Sequence, residues 1–319
     1  MRLTTMFLLG IAGAVSGAAE KTPAPKAAAS SEIAAPALGF VTAGSGNELR
    51  PVFGSRLFPG LGNALALPPD AKRVLLAGNQ SSALVEMADN WSILPVRSGA
   101  TSAVTVLSRP ARLAAISPSG TAAAFLLQES DRVAVVAGLP SAPRIAFESD
   151  LPHGITCLAV ADNADAAVGC APNGVLLIRA ERSGLLHAGT PVVAAFVPNS
   201  LRAVIADHDG GRVLSLVAAD GATSTELASG SSHGIDAPYR VAVDSRGMHA
   251  VVLTAHSLVV VSLQDGQVRT VASDFKPADV ASLGESGLFA IRAKDGDGTW
   301  LLGLDTPEPR LLYSPALER

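Results

Sequence analysis

Short apolar runs separated by polar turns recur along the whole chain. Residues 112–138 form the clearest copy, with apolar runs at 113–116, 122–127 and 133–137. The turn SPSG at 117–120 separates the first two runs, and a polar corner separates the second from the third. Runs of this length, bounded by turn residues, are typical of strands rather than helices. The pattern predicts a small antiparallel sheet that folds back on itself.

The same unit occurs six times, and the copies align on Gly120. The equivalent turn positions are Ala71, Ala164, Ser200, Gly247 and Gly287. Five residues before the turn position stand Ala66, Ala115, Ala159, Ala195, Ala242 and Ser282, and three residues after it stand Val74, Ala123, Ala167, Ala203, Ala250 and Ala290. A large apolar column follows the first small one, at Leu67, Ile116, Val160, Phe196, Val243 and Leu283.

These columns predict how the units pack. A three-residue turn loop at the SPSG position would make Ala115 face Ala123 directly, so that both small columns lie on one face of the hairpin. The large column would then point to the other face. Units with a small face and a large face stack on copies of themselves, which favours sheets packed radially about an axis.

Two further strands follow each inner hairpin, as at 258–263 and 267–272, so each unit supplies four. With a repeat of about 43 residues, the sequence predicts an all-β protein, a β-propeller of four-stranded blades. Six complete copies favour six blades. Residues 38–53 read as a third and fourth strand without their inner strands. They either pair onto the last blade of a six-bladed ring or belong to a seventh blade.

With the S-P-x-G turn after its innermost strand, the chain resembles the β-propeller repeat superfamily, in particular exported bacterial propellers of the YVTN type and WD-like repeats. The resemblance covers residues 38–316. The turn matches well at 117–120 and in a degraded form at 68–71, 244–247 and 285–287. The resemblance implies the fold and transfers no active site.

The first 19 residues predict a signal peptide. Arg2 precedes an apolar stretch from Met6 to Val15, and the small residues at 16–19 follow it. The stretch is shorter than the roughly 20 residues that a membrane span needs. Residues 20–37, rich in Ala and Pro, predict a flexible linker, and residues 38–319 the propeller. We therefore expect an exported protein, either periplasmic or secreted.

Charge and cysteine content narrow the picture further. The 24 Lys and Arg residues are scattered and the net charge is -4, so nucleic acid is not an expected partner. Cys157 and Cys170 lie on the two inner strands of one unit. A two-residue turn would place them opposite one another and allow a disulfide, whereas the three-residue loop expected from the repeat sends them to opposite faces. The repeat favours free thiols.

Candidate binding residues lie in loops that share one end of the ring. The connections between blades and the loops between second and third strands lie there, because strands alternate in direction. This end collects the candidate ligand-binding residues His153, Asp207, His208, His233, Asp236, Tyr239 and Arg240. Tyr and Arg contribute most often to interface energy, and convergent polar groups at a concave mouth are a default binding-site hypothesis.

The sequence supplies no catalytic residue, no assigned metal ligand and no cofactor motif. The acidic corners at 207–211 and 295–298 are read as solvated Asp-Gly turns, with a metal contact as the alternative. We expect a monomeric, non-enzymatic binding or scaffold module for a protein or peptide partner. The alternative is a metal-dependent hydrolase or lyase with its site at the mouth of the channel.

Overall fold

The structure of the chain is a computed structural model. It describes residues 37–43, 46–97, 103–217, 223–284, 287–294, 298–304, 306 and 308–315. The predicted signal peptide and almost all of the predicted linker therefore lie outside the described residues, as does the acidic corner at 295–297.

The described residues form 27 strands in seven antiparallel sheets and one short helix. Blade 1 has three strands, β1 (Ala37–Ala43), β2 (Glu48–Ser55) and β3 (Phe58–Leu61). Blade 2 comprises β4 (Arg73–Leu76), β5 (Ser82–Glu86), β6 (Trp91–Pro95) and β7 (Val104–Leu107), and blade 3 comprises β8 (Ala111–Ile116), β9 (Ala122–Leu127), β10 (Arg132–Ala137) and β11 (Arg144–Asp150). Blade 4 comprises β12 (Cys157–Val160), β13 (Ala167–Ala171), β14 (Gly174–Ile178) and β15 (Ser183–Ala188).

Blade 5 comprises β16 (Pro191–Phe196), β17 (Arg202–Asp207), β18 (Arg212–Val217) and β19 (Ser224–Ser229), and the helix α1 (Gly230–His233) follows it. Blade 6 comprises β20 (Arg240–Val243), β21 (His249–Leu253), β22 (Ser257–Ser262) and β23 (Val268–Ala272). Blade 7 comprises β24 (Pro277–Ser282), β25 (Leu288–Ala293), β26 (Thr299–Gly303) and β27 (Arg310–Ser314). The predicted β-propeller is confirmed. The preference for six blades was wrong, because the described residues form the seventh blade that the sequence left open.

The ring closes where blade 7 packs against blade 1. Val41 and Val52 of blade 1 belong to the same buried cluster as Leu283 and Leu288 of blade 7. Gly39 approaches the Leu283 backbone so closely that a Cβ there would stand 2.7 Å from the carbonyl oxygen. A side chain at residue 39 would therefore push the first and last blades apart.

Blade 1 differs from the others in the direction of its innermost strand. In the middle of β1, the Phe40 N–H donates to the side chain of Gln80, which lies beyond the end of β4. Just past the end of β1, the Gly46 carbonyl accepts from Val74, near the start of β4. The strand β1 is therefore antiparallel to β4. Blade 1 has the course of the second to fourth strands of an ordinary blade, with the second strand taking the inner place.

The inner hairpins have a four-residue loop, so the predicted register was wrong. Ala115 pairs with Ala124, and Ile116 pairs with Ala123. The Ser117 hydroxyl accepts from the backbone N–H groups of Thr121 and Ala122 at 3.2 and 3.1 Å, which holds one more residue in the loop than the prediction allowed. Ala115 and Ala123 consequently point to opposite faces of the sheet.

The same register brings the two cysteines together. Cys157 and Cys170 are directly paired residues on β12 and β13, with their Cα atoms 5.0 Å apart, and they form a disulfide. The prediction of free thiols was wrong for the same reason as the predicted hairpin register. With an even number of loop residues, the two side chains share a face instead of lying on opposite faces.

The first and last repeats are also aligned differently from the prediction. The turn of blade 2 lies at 77–80, and residues 68–71 belong to the connection between blades 1 and 2. Pro68 and Pro69 gave that connection the composition of a turn. In blade 7 the columns shift by one residue. After realignment ten of the twelve small positions are still Ala, namely Ala115, Ala159, Ala195, Ala242 and Ala281 with Ala83, Ala123, Ala167, Ala203 and Ala250.

Large residues still pack against small ones between blades. Ala123 is fully buried in a cluster with Leu84 and Ile93 of the preceding blade. Its neighbour Ala124 points the other way, into a cluster with Val160 and Ala167 of the next blade. Each blade thus presents small residues to both of its neighbours.

Enlarging Ala123 tests this packing. We expect Ala123→Leu to destabilise the protein by about 1–3 kcal/mol, because overpacking a dense interface forces strain. Ala115→Leu is the matched control and should cost less, since Ala115 lies in the wall of the central channel and is only partly buried. Urea midpoints measure both effects. Equal shifts for the two variants would contradict the assignment of faces.

Candidate functional site

The ring has two distinct faces. We call the face with the connections between blades the upper face; in blades 2 to 7 it also holds the loops between second and third strands. The opposite face is the lower face, with the turns between first and second and between third and fourth strands. Between them runs a central channel with a cavity of about 290 Å³. Its wall includes the first Ala column and few polar side chains, such as Thr42 and Asp279.

On the lower face, polar side chains join the turns of neighbouring blades. Asn79 of blade 2 donates to the Ser119 carbonyl of blade 3 at 2.8 Å. Ser119 in turn donates from its hydroxyl and its N–H to Asp162 of blade 4, at 2.6 and 2.7 Å. The other Asp162 oxygen accepts from the Asn199 N–H of blade 5 at 2.8 Å. These hydrogen bonds connect the turns of blades 2, 3, 4 and 5.

Ion pairs gather on the upper face. Blade 3 carries a network in which Arg109 contacts Glu148, Arg112 contacts Asp131, and Arg132 lies 2.8 Å from Asp150. The hydrogen bond and the charge of Arg132 lower the pKa of Asp150. This surface therefore carries side chains of both signs, joined to one another in ion pairs.

His153 lies at the edge of this network. It is exposed in the connection between blades 3 and 4, and its Nδ1 contacts the Asp131 carboxylate. His208 and Asp236 are also exposed, at the corner of blade 5 and between blades 5 and 6. His233 ends α1, where its Nδ1 accepts from the Ser229 N–H at 3.3 Å.

Asp207 is buried rather than presented at the surface. The residue is 1% exposed at the end of β17. One carboxylate oxygen accepts from the N–H and hydroxyl of Thr190 at 3.2 and 2.9 Å, and the other accepts from Arg212 at 2.5 Å. Burial acts to raise the pKa of Asp207, but the hydrogen bonds from Arg212 and Thr190 outweigh it, and the pKa is lowered. The ionised carboxylate fixes the junction of blades 4 and 5.

Tyr239 and Arg240 lie side by side but differ in exposure. The half-buried Tyr239 ring packs on the cluster of blades 6 and 7, and its hydroxyl donates to the Pro277 carbonyl. Burial raises the pKa of Tyr239. Arg240 is exposed, with its Nε 3.8 Å from Asp279, whose other oxygen lies 3.9 Å from Arg292. Of the two, Arg240 is the residue that a partner can reach.

The predicted residues therefore share a face but not a cluster. They fall at three places: His153 lies between blades 3 and 4, Asp207 and His208 at the corner of blade 5, and His233, Asp236, Tyr239 and Arg240 between blades 5 and 6. Asp279, Arg292, Arg212 and the blade 3 network were not predicted from the sequence. For Arg212 the register supplies a signal, because the paired ends of β17 and β18 place it opposite Asp207.

Two further findings concern the described residues. Within this part of the chain, no three His, Cys, Asp or Glu side chains gather where they could hold a metal ion. The same residues include no helix that is long and apolar enough to cross a membrane.

Known structures share this fold. No protein-family model matches the sequence, nor does any curated protein. Hydrazine synthase of Kuenenia stuttgartiensis matches over 91% of this chain and 99% of its own, with a TM-score of 0.57 and 10% identity. The Cps50 (Swd1) β-propeller domain of Myceliophteria thermophila matches over 81% and 94%, with a TM-score of 0.54 and 13% identity.

A protein of unknown function from Desulfotomaculum acetoxidans matches over 87% of this chain and 99% of its own, with a TM-score of 0.59 and 13% identity. At such identities the likeness shows the fold alone. The protein is a β-propeller, a fold that commonly serves as a binding or scaffold module.

Proposed function

We propose that this protein is an exported, non-enzymatic binding module that holds a protein or peptide partner on its upper face. The observation that carries the proposal is the concentration of ion pairs of both signs on that face, with Arg240 exposed among them. Paired charges around a binding surface give specificity and speed association. The side chains that line the channel are mostly small and apolar.

Export is supported by two features. The N-terminal segment has the pattern of a signal peptide. The Cys157–Cys170 disulfide is of a kind that persists in oxidising compartments and is rare in the cytosol.

Site-specific photo-crosslinking tests the assigned face. A benzoylphenylalanine in place of Arg240 should form covalent adducts with the partner in the native cells. The matched control places the same group at Arg246, which is exposed on the same blade but on the lower face. Adducts from position 246 and none from 240 would place the partner on the opposite face.

The same purified protein distinguishes a binding module from a metal-dependent hydrolase or lyase. A binding module should contain no stoichiometric divalent cation when its metal content is measured by mass spectrometry. One tightly held cation per chain, lost together with a hydrolytic or lyase activity on chelation, would favour the enzyme.

A further inference from the structure

The connection between blades 3 and 4, residues 151–156, lies on the upper face and is held at both ends. At its first residue, the Leu151 N–H donates to the Asp131 carbonyl at 2.6 Å. At its last residue, Thr156 donates to the Cys170 carbonyl from its N–H at 2.9 Å and from its hydroxyl at 3.4 Å. Cys170 therefore fixes the point at which the connection enters the inner strand of blade 4.

The disulfide acts at the same point. Cys157 follows Thr156 directly as the first residue of β12, and its sulfur is bonded to that of Cys170. The carbonyl and the sulfur of Cys170 thus hold two successive residues. Cys157 is partly exposed, whereas Cys170 is fully buried in a cluster shared with blade 5.

Blade 6 shows how an equivalent hairpin is held without a disulfide. Its inner hairpin has the same length, and Arg240 and Leu253 pair where the two cysteines stand in blade 4. The Tyr239 N–H donates to the Leu253 carbonyl at 3.0 Å, as in blade 4. The Tyr239 side chain then adds a hydrogen bond and packing to blade 7. The Thr156 side chain bonds within its own blade, so at blade 4 the added support comes from the disulfide.

A bridge of this kind acts locally. The two cysteines are 13 residues apart, and closing so short a loop removes less chain entropy than closing a long one. The ring is closed elsewhere, between blades 7 and 1. A free thiol packs like a small apolar side chain, so both cysteines can keep their places when reduced. Reduction should therefore loosen the start of β12 and leave the propeller folded.

The oxidation state of the pair depends on the compartment, because thiols are kept reduced in the cytosol and disulfides form in oxidising surroundings. Formation begins at the partly exposed Cys157, whose thiolate attacks a disulfide oxidant and releases one oxidant thiol. The Cys170 thiolate then displaces the second oxidant sulfur. The S–S bond of the oxidant is replaced by the Cys157–Cys170 bond, and two electrons and two protons leave with the two oxidant thiols.

We propose that the Cys157–Cys170 disulfide is a redox switch for the part of the upper face that carries His153. When oxidised, it holds the end of the connection on β13; when reduced, it releases that end. The switch rests on the proposed function, because the connection lies on the partner face. It completes that face only in a chain that has reached an oxidising compartment.

Hydrogen exchange on the full chain tests the switch. Dithiothreitol without denaturant should reduce the disulfide, with the two alkylated cysteines counted by mass. Amides of residues 151–160 should then exchange about ten-fold faster, whereas the equivalent residues 234–243 of blade 6 should not change. Unchanged exchange at 151–160, equal acceleration in both blades, or reduction only in urea would each overturn the proposal.

A Cys157→Ser, Cys170→Ser variant controls for the reagent. It should exchange at residues 151–160 like the reduced protein, and dithiothreitol should have no further effect on it. If the folded variant exchanges like the oxidised protein, the bond does not hold the connection and the proposal fails. The reduced wild-type chain decides the question if the variant does not fold.

Crosslinking separates the switch from the proposed function. A benzoylphenylalanine at Pro152, which is exposed in the connection, should form adducts in native cells, and about ten-fold fewer in the double Ser variant. Adducts from position 240 should persist in both chains. Equal yields from position 152 in both chains, with those from 240 retained, would overturn the switch and leave the partner face standing. Adducts from neither position would overturn both.

Discussion

Gln80→Ala is expected to destabilise the protein by about 2–5 kcal/mol. The Gln80 side chain is completely buried, and it joins three blades. Its Oε1 accepts from the Phe40 N–H of blade 1 at 2.7 Å, and its Nε2 donates to the Ser282 carbonyl of blade 7 at 2.5 Å. Without the amide both backbone groups are buried and unpaired, which costs about 1–3 kcal/mol for each.

Chemical denaturation measures this effect. Gln80 has a φ of 61°, and Ala keeps the Cβ, so the backbone strain is the same in both proteins. The difference reports the lost hydrogen bonds and side-chain packing. Gln128→Ala is the matched control, because that side chain is exposed and its removal should change stability little. Equal unfolding midpoints for the two variants would mean that the amide does not hold the three blades together.

Asp207→Ala is expected to cost about 2–3 kcal/mol at neutral pH. The change leaves Arg212 and the Thr190 N–H without their acceptor. Because the pKa of Asp207 is lowered in the folded protein, the stabilisation is present above the unfolded pKa of about 3.9. It is lost as the pH falls through the folded pKa. The gap between wild type and variant should therefore narrow in acid.

Unfolding free energies at neutral and acid pH test this expectation. Asp209→Ala is the control, since Asp209 lies two residues along the same corner and is exposed. A stability gap for Asp207→Ala that stays constant as the pH falls would show that the carboxylate is not ionised in the folded protein.

The repeat pattern was sufficient for the fold because it is carried by local residues. Small residues flank each turn, and the turns contain Gly, Pro and Asp. The register depended on the number of loop residues, which composition does not display. The residues that close each inner turn, such as Ser117 with Ala122 and Ala161 with Ala166, pair through the backbone and leave four residues between them. The one extra loop residue changed the predicted faces and the predicted state of the cysteines together.

Blade 1 was not recognised as a complete blade for a related reason. Its inner strand runs in the opposite direction, so blade 1 carries no copy of the repeat. Its connection to blade 2 also contains Pro68 and Pro69, which resemble a turn of the repeat. Gln80 of blade 2 connects blade 1 to blade 7. It lies in the sequence AGNQSS, which gives no sign that one of its side chains bridges two other blades. Long-range pairs of this kind follow from three-dimensional packing.

The candidate site was predictable only in part. Strand alternation placed all seven residues on one face, but exposure separates them. The Asp207 and Tyr239 side chains make contacts within the protein, whereas the Arg240 side chain is exposed at the surface.

The closure between the first and last blades bears on how the chain reaches this shape. The Ser314 hydroxyl meets the Pro59 carbonyl across 255 residues of sequence, and Gln80 reaches Ser282 across 202. Bringing ends so distant together has an entropic cost before any contact repays it, and contacts of this kind slow folding. During synthesis, one side of blade 1 lacks its packing partner until blade 7 has been synthesised. We therefore expect ring closure to be a late step in folding. A chain truncated before blade 7 should expose Val41 and Val52 to proteases.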